Sequence, residues 1–368
     1  MRCKVAILPA VGEQYVIEEV ELAELKPAEA RVQIKTCSIC HSDLHSQMGE
    51  HGHFDGSATG GHEAAGVVTE VGSEVTYVKP GDRVICCLIK AGCGRCYECL
   101  MGRPYMCLTN GPQQFKTPGP YTRDNGDVPI QLPGAFTGFA EYANVSENNL
   151  IKLDDDIPYE VGSIISCAVI SGFIGLMHRA CVKPFESLVV VGCGGVGMSA
   201  IQGGRFVGAF PVVAVDIDDG KLARAMEFGA THTVNPKTSD AAAAVKDICN
   251  PLGADHAIVC VAGPGIKRQA LDMLHPTGRL TCIGHGTYEA EMLTDFSAMD
   301  FFSGRTLTGS GMGATLIRLD IPRLMALYRH GILKVDEMID GRYPWEQINE
   351  ANDSAIHGGV LKNVLVFD

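Results

Sequence analysis

The sequence has a single tryptophan in 368 residues and an aromatic share of 7%. Basic residues are also in deficit. Thirty Lys and Arg stand against 43 Asp and Glu, a formal charge of −13, which argues against nucleic acid or an anionic membrane as the main partner. No run of about 20 apolar residues stands out, so no membrane span is expected. The opening Met1-Arg2-Cys3-Lys4-Val5 enters a strand-like stretch without the apolar core of a signal peptide, so a cytoplasmic location is expected. Repeats of about 20–50 residues and low-complexity segments are missing too. The 46% of apolar residues and the length, too great for one core, predict two well-buried domains.

Cysteine, by contrast, is plentiful, at 15 residues. An odd count and clustered C-x2-C spacing favour metal in a reducing cytosol over a disulfide framework. Cys93, Cys96, Cys99 and Cys107 follow C-x2-C-x2-C-x7-C, a spacing suited to a tetrahedral zinc with no open position. Such a site folds its lobe, here 92–108, and does no chemistry; Gly92, Gly94 and Gly102 supply its turns. A second set, Cys40, His62 and Cys167, is spread over more than a hundred residues and could hold a metal with one position left for substrate. Spacing cannot identify that trio. Cys37 forms its own C-x2-C with Cys40, and joint ligation by those two would make a zinc knuckle instead. Most other cysteines lie in apolar or glycine-rich stretches and read as small buried hydrophobes.

The first half is rich in strands and turns, with Arg31–Thr36, Ala65–Val71 and Arg83–Cys87 as strand signals. Residues 111–138 read as a long loop or lid. From Ser187 onward, short apolar strands alternate with helical segments, which predicts an α/β architecture with a doubly wound parallel sheet. The last strand signal, Asn363–Phe367, is expected to rejoin the first domain. The expected domains are therefore 1–168 with 311–368, and 169–310.

Gly192-Cys193-Gly194-Gly195-Val196-Gly197 fits G-x-G-x-x-G, follows the apolar run Leu188–Val191 and opens a helix. In that context Gly192 permits the tight turn, Gly194 lets the backbone approach a pyrophosphate and Gly197 lets helix and sheet pack closely. Gly195 and Val196 open the helix whose N–H groups face the phosphates. Asp216, at the end of the next strand, is placed to bind both ribose hydroxyls of NAD and to repel a 2′-phosphate. A turn or N-cap role is its alternative. Lys221 could reach the same ribose edge or be an exposed helical lysine.

Together these segments resemble the zinc-dependent medium-chain alcohol dehydrogenase family along essentially the whole chain. The carriers are Cys40-His41-Ser42-Asp43, Gly61-His62-Glu63-Ala64-Ala65-Gly66, Pro80-Gly81-Asp82-Arg83-Val84, the cysteine tetrad and Gly192–Gly197. The resemblance implies a GroES-like β-rich catalytic domain and a Rossmann domain, two zinc ions per chain, NAD, and oxidation of a primary or secondary alcohol to an aldehyde or ketone. It implies that Cys40, His62 and Cys167 ligate the catalytic zinc and that Cys37 does not. Cys2His with an open position is the ligand type of alcohol dehydrogenases. By the same likeness Glu63 lies behind the metal and Asp43 orients His62. Ser42 bonds the substrate oxygen, and His45 relays its proton through the cofactor ribose to solvent. His41 and Lys362 occupy positions that commonly hold a phosphate-contacting Arg. A homodimer or homotetramer is implied as well.

Ile89 stands where the family often has an aromatic and hints at a roomier cleft. Phe115, Tyr121 and Phe136 are candidates for its apolar lining, or for simple loop packing. His51, His53, His178 and His357 are given no role. Cys40–His45, Ala214–Asp219 and Asp320–Leu324 most resemble the nicotinoprotein branch, which keeps NAD bound. The nearest rival is a thiol-adduct (S-hydroxymethyl) formaldehyde dehydrogenase, which needs a cationic anchor that the sequence does not identify. A zinc-free quinone reductase would lack the tetrad and Cys40. A catalytically inactive NAD- and zinc-binding structural protein is opposed by the intact ligands with Ser42 and His45.

Overall fold

The computed structural model describes residues 1–50, 56–109, 117–123, 130–132, 134–284, 297–357 and 359–368. The chain forms two compact units. One comprises Met1–Cys167, Leu316–Gly331 and Val335–Asp368, the other Ala168–Thr315 and Ile332–Lys334.

The first unit is built on a seven-stranded sheet. Its strands lie in the order Leu150–Lys152, Arg83–Cys86, Ala64–Val71, Glu29–Ser38, Lys362–Val366, Ile339–Pro344, and Tyr142–Ser146 also pairs with Glu29–Ser38. Along Glu29–Ser38 every second side chain turns inward, so Ala30, Val32 and Ile34 reach the core while Arg31 and Gln33 stay at the surface layer. The chain's last strand runs antiparallel to this one, with Val364 opposite Ser38 and Leu365 opposite Cys37. That register carries Lys362 to the segment leading into Cys40. Trp345 stacks on Phe367 at 4.9 Å and closes the core beneath it.

Within 111–138 the described residues are not all loop. Tyr121–Thr122 adds to the sheet of Arg2–Ile7 and Val16–Leu22, and Thr117–Pro118 pairs with Gln131–Leu132. Tyr121 is buried and donates its hydroxyl to the Tyr142 carbonyl at 2.8 Å, and Phe136 lies in the main core. Both are packing residues, not a pocket lining. Phe115, His51 and His53 lie outside the described residues.

The chain passes between units inside one helix, Tyr159–Ala180, whose 22 residues are long and apolar enough to cross a membrane. This corrects the reading that no such run exists. Ser163, Ser166 and Ser171 break the apolar pattern, yet Ser163 and Ser166 turn their hydroxyls back onto the carbonyls of Glu160 and Ser163 at 2.7 and 2.6 Å. With 89% of its apolar stretch buried inside the protein, it reads as a core helix.

The second unit is a parallel sheet of six strands, His232–Val234, Val212–Val215, Leu188–Val191, Ala254–Val259, Leu274–Cys282 and Thr306–Gly309 in spatial order. Counted along the chain this is 3-2-1-4-5-6, the doubly wound order with its switch point beside the first strand. Leu188–Val191 and Val212–Val215 are buried throughout, as continuous Val-rich strands covered on both faces must be. The two edge strands are short and carry polar residues, so the apolar pattern did not mark them.

Candidate metal centres and nucleotide turn

Four donors converge in the first unit. Cys40 precedes the short helix His41–Gln47, and its N–H donates to Asp43 Oδ2 at 3.3 Å. His62 and Glu63 lead into strand Ala64–Val71. Cys167 sits on a π-helical stretch, Ile165–Ile174, a wide turn often found where a helix serves a site. One donor atom from each of Cys40, His62, Glu63 and Cys167 lies within 4.8 Å of every other. Cys37 is not in this group; it is buried, with its thiol directed at the Ser38 carbonyl at 3.8 Å.

Asp43 fixes the imidazole. Its Oδ1 accepts from His62 Nδ1 at 3.1 Å and from the Gly61 N–H at 3.0 Å. Nδ1 must therefore carry the hydrogen, which leaves Nε2 as the ligating atom. A hydrogen bond from Cys167 holds Cys40 well below the ordinary thiol range, and the same bond, with burial, raises Cys167. Burial works to lower His62, but Asp43 and Cys40 outweigh it and raise the imidazole. These donors hold protons between them where a divalent cation would take their place. Two sulfurs and an imidazole suit zinc.

Behind this group, Glu63 is fully buried and accepts from the Ser38 hydroxyl. Burial pushes its carboxyl up, to about 7, against the pull of Lys362. Lys362 corrects an expectation. Its ammonium is buried and donates to both Glu63 oxygens, at 2.7 and 2.6 Å, and to the Ile39 carbonyl at 3.1 Å. Three N–H groups so committed leave none for a phosphate. The lysine is the counter-ion of Glu63.

The relay candidates lie on the helix after Cys40. Ser42 Oγ is 3.7 Å from Cys40 Sγ. His45 Nδ1 is 2.5 Å from Glu50 Oε2, a partner that sequence reading missed. His41 is exposed at the start of the same helix, its ring 6.5 Å from that of His45. Ile89 is half-buried, its carbonyl accepting from Asn149 Nδ2 at 3.3 Å.

Cys93, Cys96, Cys99 and Cys107 also bring their sulfurs within 4.8 Å of one another. Gly92, Gly94 and Gly102 all take left-handed φ around them. The Thr109 hydroxyl donates to Cys93 Sγ at 3.5 Å and, with backbone N–H groups, holds that thiol down to about 5. Four sulfurs this close could hold a zinc of the closed, structural type.

In the second unit, Gly192 turns the chain at φ +90°. A Cβ at Gly197 would lie 1.9 Å from the Gly192 carbonyl oxygen, so only glycine lets the helix Gly195–Val207 begin this close to the strand. At Gly194 an added Cβ would meet nothing within 4 Å. That open space beside a helix N-terminus fits a pyrophosphate. Asp216 accepts the Cys193 N–H at 2.6 Å with one oxygen and the Asp218 N–H at 3.0 Å with the other. The N-cap of the next helix is Asp218, which accepts the Lys221 N–H at 3.0 Å. Asp216 therefore braces the glycine turn. Lys221 is in the first turn of that helix and half-buried.

Residues 26–155 match the family model of an alcohol dehydrogenase GroES-like domain, and residues 195–329 that of a zinc-binding dehydrogenase. The chain is 32% identical to an NDMA-dependent alcohol dehydrogenase of Amycolatopsis methanolica, covering 100% of this chain and 99% of that one. It is 31% identical to an S-(hydroxymethyl)glutathione dehydrogenase of Saccharomyces cerevisiae, covering 100% and 97%. The crystal structure of benzyl alcohol dehydrogenase from Acinetobacter calcoaceticus superposes with a TM-score of 0.89 at 28% identity, with both chains covered in full.

Proposed function

This chain belongs to the zinc-dependent alcohol dehydrogenase family and is an oxidoreductase of alcohols, and from that premise we propose how its residues divide the work. Cys40, His62 and Cys167 would hold a catalytic zinc with one position open, the cysteine tetrad a structural zinc, and Gly192–Gly197 with Asp216 an NAD. Bound there, zinc supplies Lewis-acid polarisation of the alcohol oxygen and NAD the hydride acceptor.

The two thiolates balance the metal's charge, and the Glu63–Lys362 pair adds none. Asp43 keeps the His62 ring in one tautomer and one orientation. Ser42 takes the hydrogen bond of the substrate hydroxyl and holds its proton, and His45 receives that proton on its way to solvent. His41 offers the pyrophosphate a pH-sensitive cation in place of a permanent one. Lys221 is left a secondary contact at the ribose edge. The observation that carries this reading is the convergence of Cys40, His62, Glu63 and Cys167 within 4.8 Å, with Asp43 on the far nitrogen of the histidine.

A panel of primary and secondary alcohols, assayed with and without added NAD and with an artificial acceptor, tests it. Alcohol-dependent turnover by zinc-loaded protein is expected. Likeness to an NDMA-dependent relative supports tightly held NAD. Acceptor reduction without added NAD, and NAD(H) in the ultraviolet and mass spectra of purified protein, would then accompany turnover. Absence of turnover with every alcohol in a fully zinc-loaded sample would overturn the proposal. Likeness to a glutathione-adduct dehydrogenase supports a second reading, which faster turnover of the adduct than of free alcohols would favour.

Metal content is a separate check. Wild-type protein is expected to carry two zincs per chain and Cys93→Ser one, by elemental analysis. Two zincs retained in Cys93→Ser would remove the tetrad from the scheme. We read the assembly as a homodimer or homotetramer, supported by the position of Thr306–Gly309 at the edge of the parallel sheet among the described residues. Cysteines held as thiols, six of them gathered in two metal-type donor groups, support a cytoplasmic location.

A further inference from the structure

We propose that Glu50 is a positioning residue for His45: its carboxylate fixes the hydrogen on Nδ1 and so presents Nε2 as the acceptor of the substrate proton. The inference rests on the relay role given to His45 above.

The contact is built by the end of a helix. His41–Gln47 stops at Met48, and Gly49 takes φ +77°. The Gly49 N–H donates to the Ser46 carbonyl at 3.1 Å and the Glu50 N–H to the His45 carbonyl at 2.8 Å. This is the paired-bond pattern that ends a helix with a left-handed glycine. It folds the chain back so that residue 50 returns to residue 45. Glu50 therefore meets His45 twice, once through its backbone and once through Oε2, 2.5 Å from Nδ1.

An ionised carboxylate accepts hydrogen bonds and donates none, so a neutral His45 in this contact must bear its hydrogen on Nδ1. The other nitrogen, Nε2, then carries the lone pair of the ring. The contact thereby fixes the tautomer and the orientation of the ring, as a buried aspartate does for the histidine of hydrolytic triads. The side chains are 20% and 36% exposed, so the pair contributes little to fold stability. Its consequence is for proton transfer.

Histidine-labelled, zinc-loaded, full-length protein tests this by nitrogen NMR of the ring without substrate, the His45 signal being assigned by its loss in His45→Gln. Wild type should show the Nδ1–H form, and Glu50→Gln a shift toward the other tautomer. Glu50→Gln should also lower kcat by about tenfold, the lower end of what loss of an orienting partner costs. The drop should vanish when Glu50→Gln is made in a His45→Gln background. An unchanged tautomer in Glu50→Gln, or the same drop without His45, would overturn the proposal. Absence of alcohol turnover in wild type would instead strike the relay reading, while the NMR signal would still decide the contact.

Discussion

Ser42→Ala is expected to lower kcat/KM for alcohols by about 10²- to 10⁴-fold, the span that a positioned proton acceptor contributes. Zinc content should stay at the wild-type level, because Ser42 is no ligand. Its hydroxyl lies 3.7 Å from Cys40 Sγ, beside the donor group and outside it. Alanine suits a helix and the position is half-buried, so stability should change little. A turn-capping hydroxyl would give the opposite pattern, with reduced stability and near-normal turnover. Parallel measurement of kcat/KM, bound metal and the midpoint of urea unfolding separates the two. Normal turnover would take Ser42 out of the proton path and leave His45, with Glu50 behind it, receiving protons from elsewhere.

The parts of this protein that were readable in advance are those coded by nearby residues. The tetrad lies within fifteen positions and its spacing is its geometry. The glycine turn is likewise local, and the alternation of strand and helix that follows it announces the parallel sheet. The convergence of Cys40, His62 and Cys167 is a different matter. It depends on a strand register and on where a buried helix is threaded, and only family likeness suggested it. Glu50 escaped notice because residues five apart do not share a helix face; they meet here only because Gly49 reverses the chain. Lys362 was misread for the same kind of reason. Its partner Glu63 is 299 residues away, and nothing short of the antiparallel pairing of the last strand with Glu29–Ser38 brings them together. A lysine at a position of family arginines looks like a phosphate contact until its three hydrogens are accounted for.

Lys362→Met should therefore destabilise the protein by about 3–5 kcal/mol, the cost of stranding a buried charge. The methionine fills similar space, but Glu63 is fully buried and would keep only the Ser38 hydroxyl among the partners seen here. Pairing the change with Glu63→Gln should restore most of the loss, since a neutral amide can still accept from Ser38 and no ion then remains to be balanced. Urea unfolding of the four proteins in the cycle gives the coupling directly. The phosphate-contact reading makes a contrary forecast: nearly unchanged stability, weaker NAD affinity, and no rescue by the second substitution. Because Glu63 shares its site with Cys40, His62 and Cys167, the single substitution should also weaken zinc retention there, while the tetrad, which stands apart from the pair, keeps its metal. Loss of zinc from both sites together would mean that the effect is global unfolding and not the uncovering of one carboxylate.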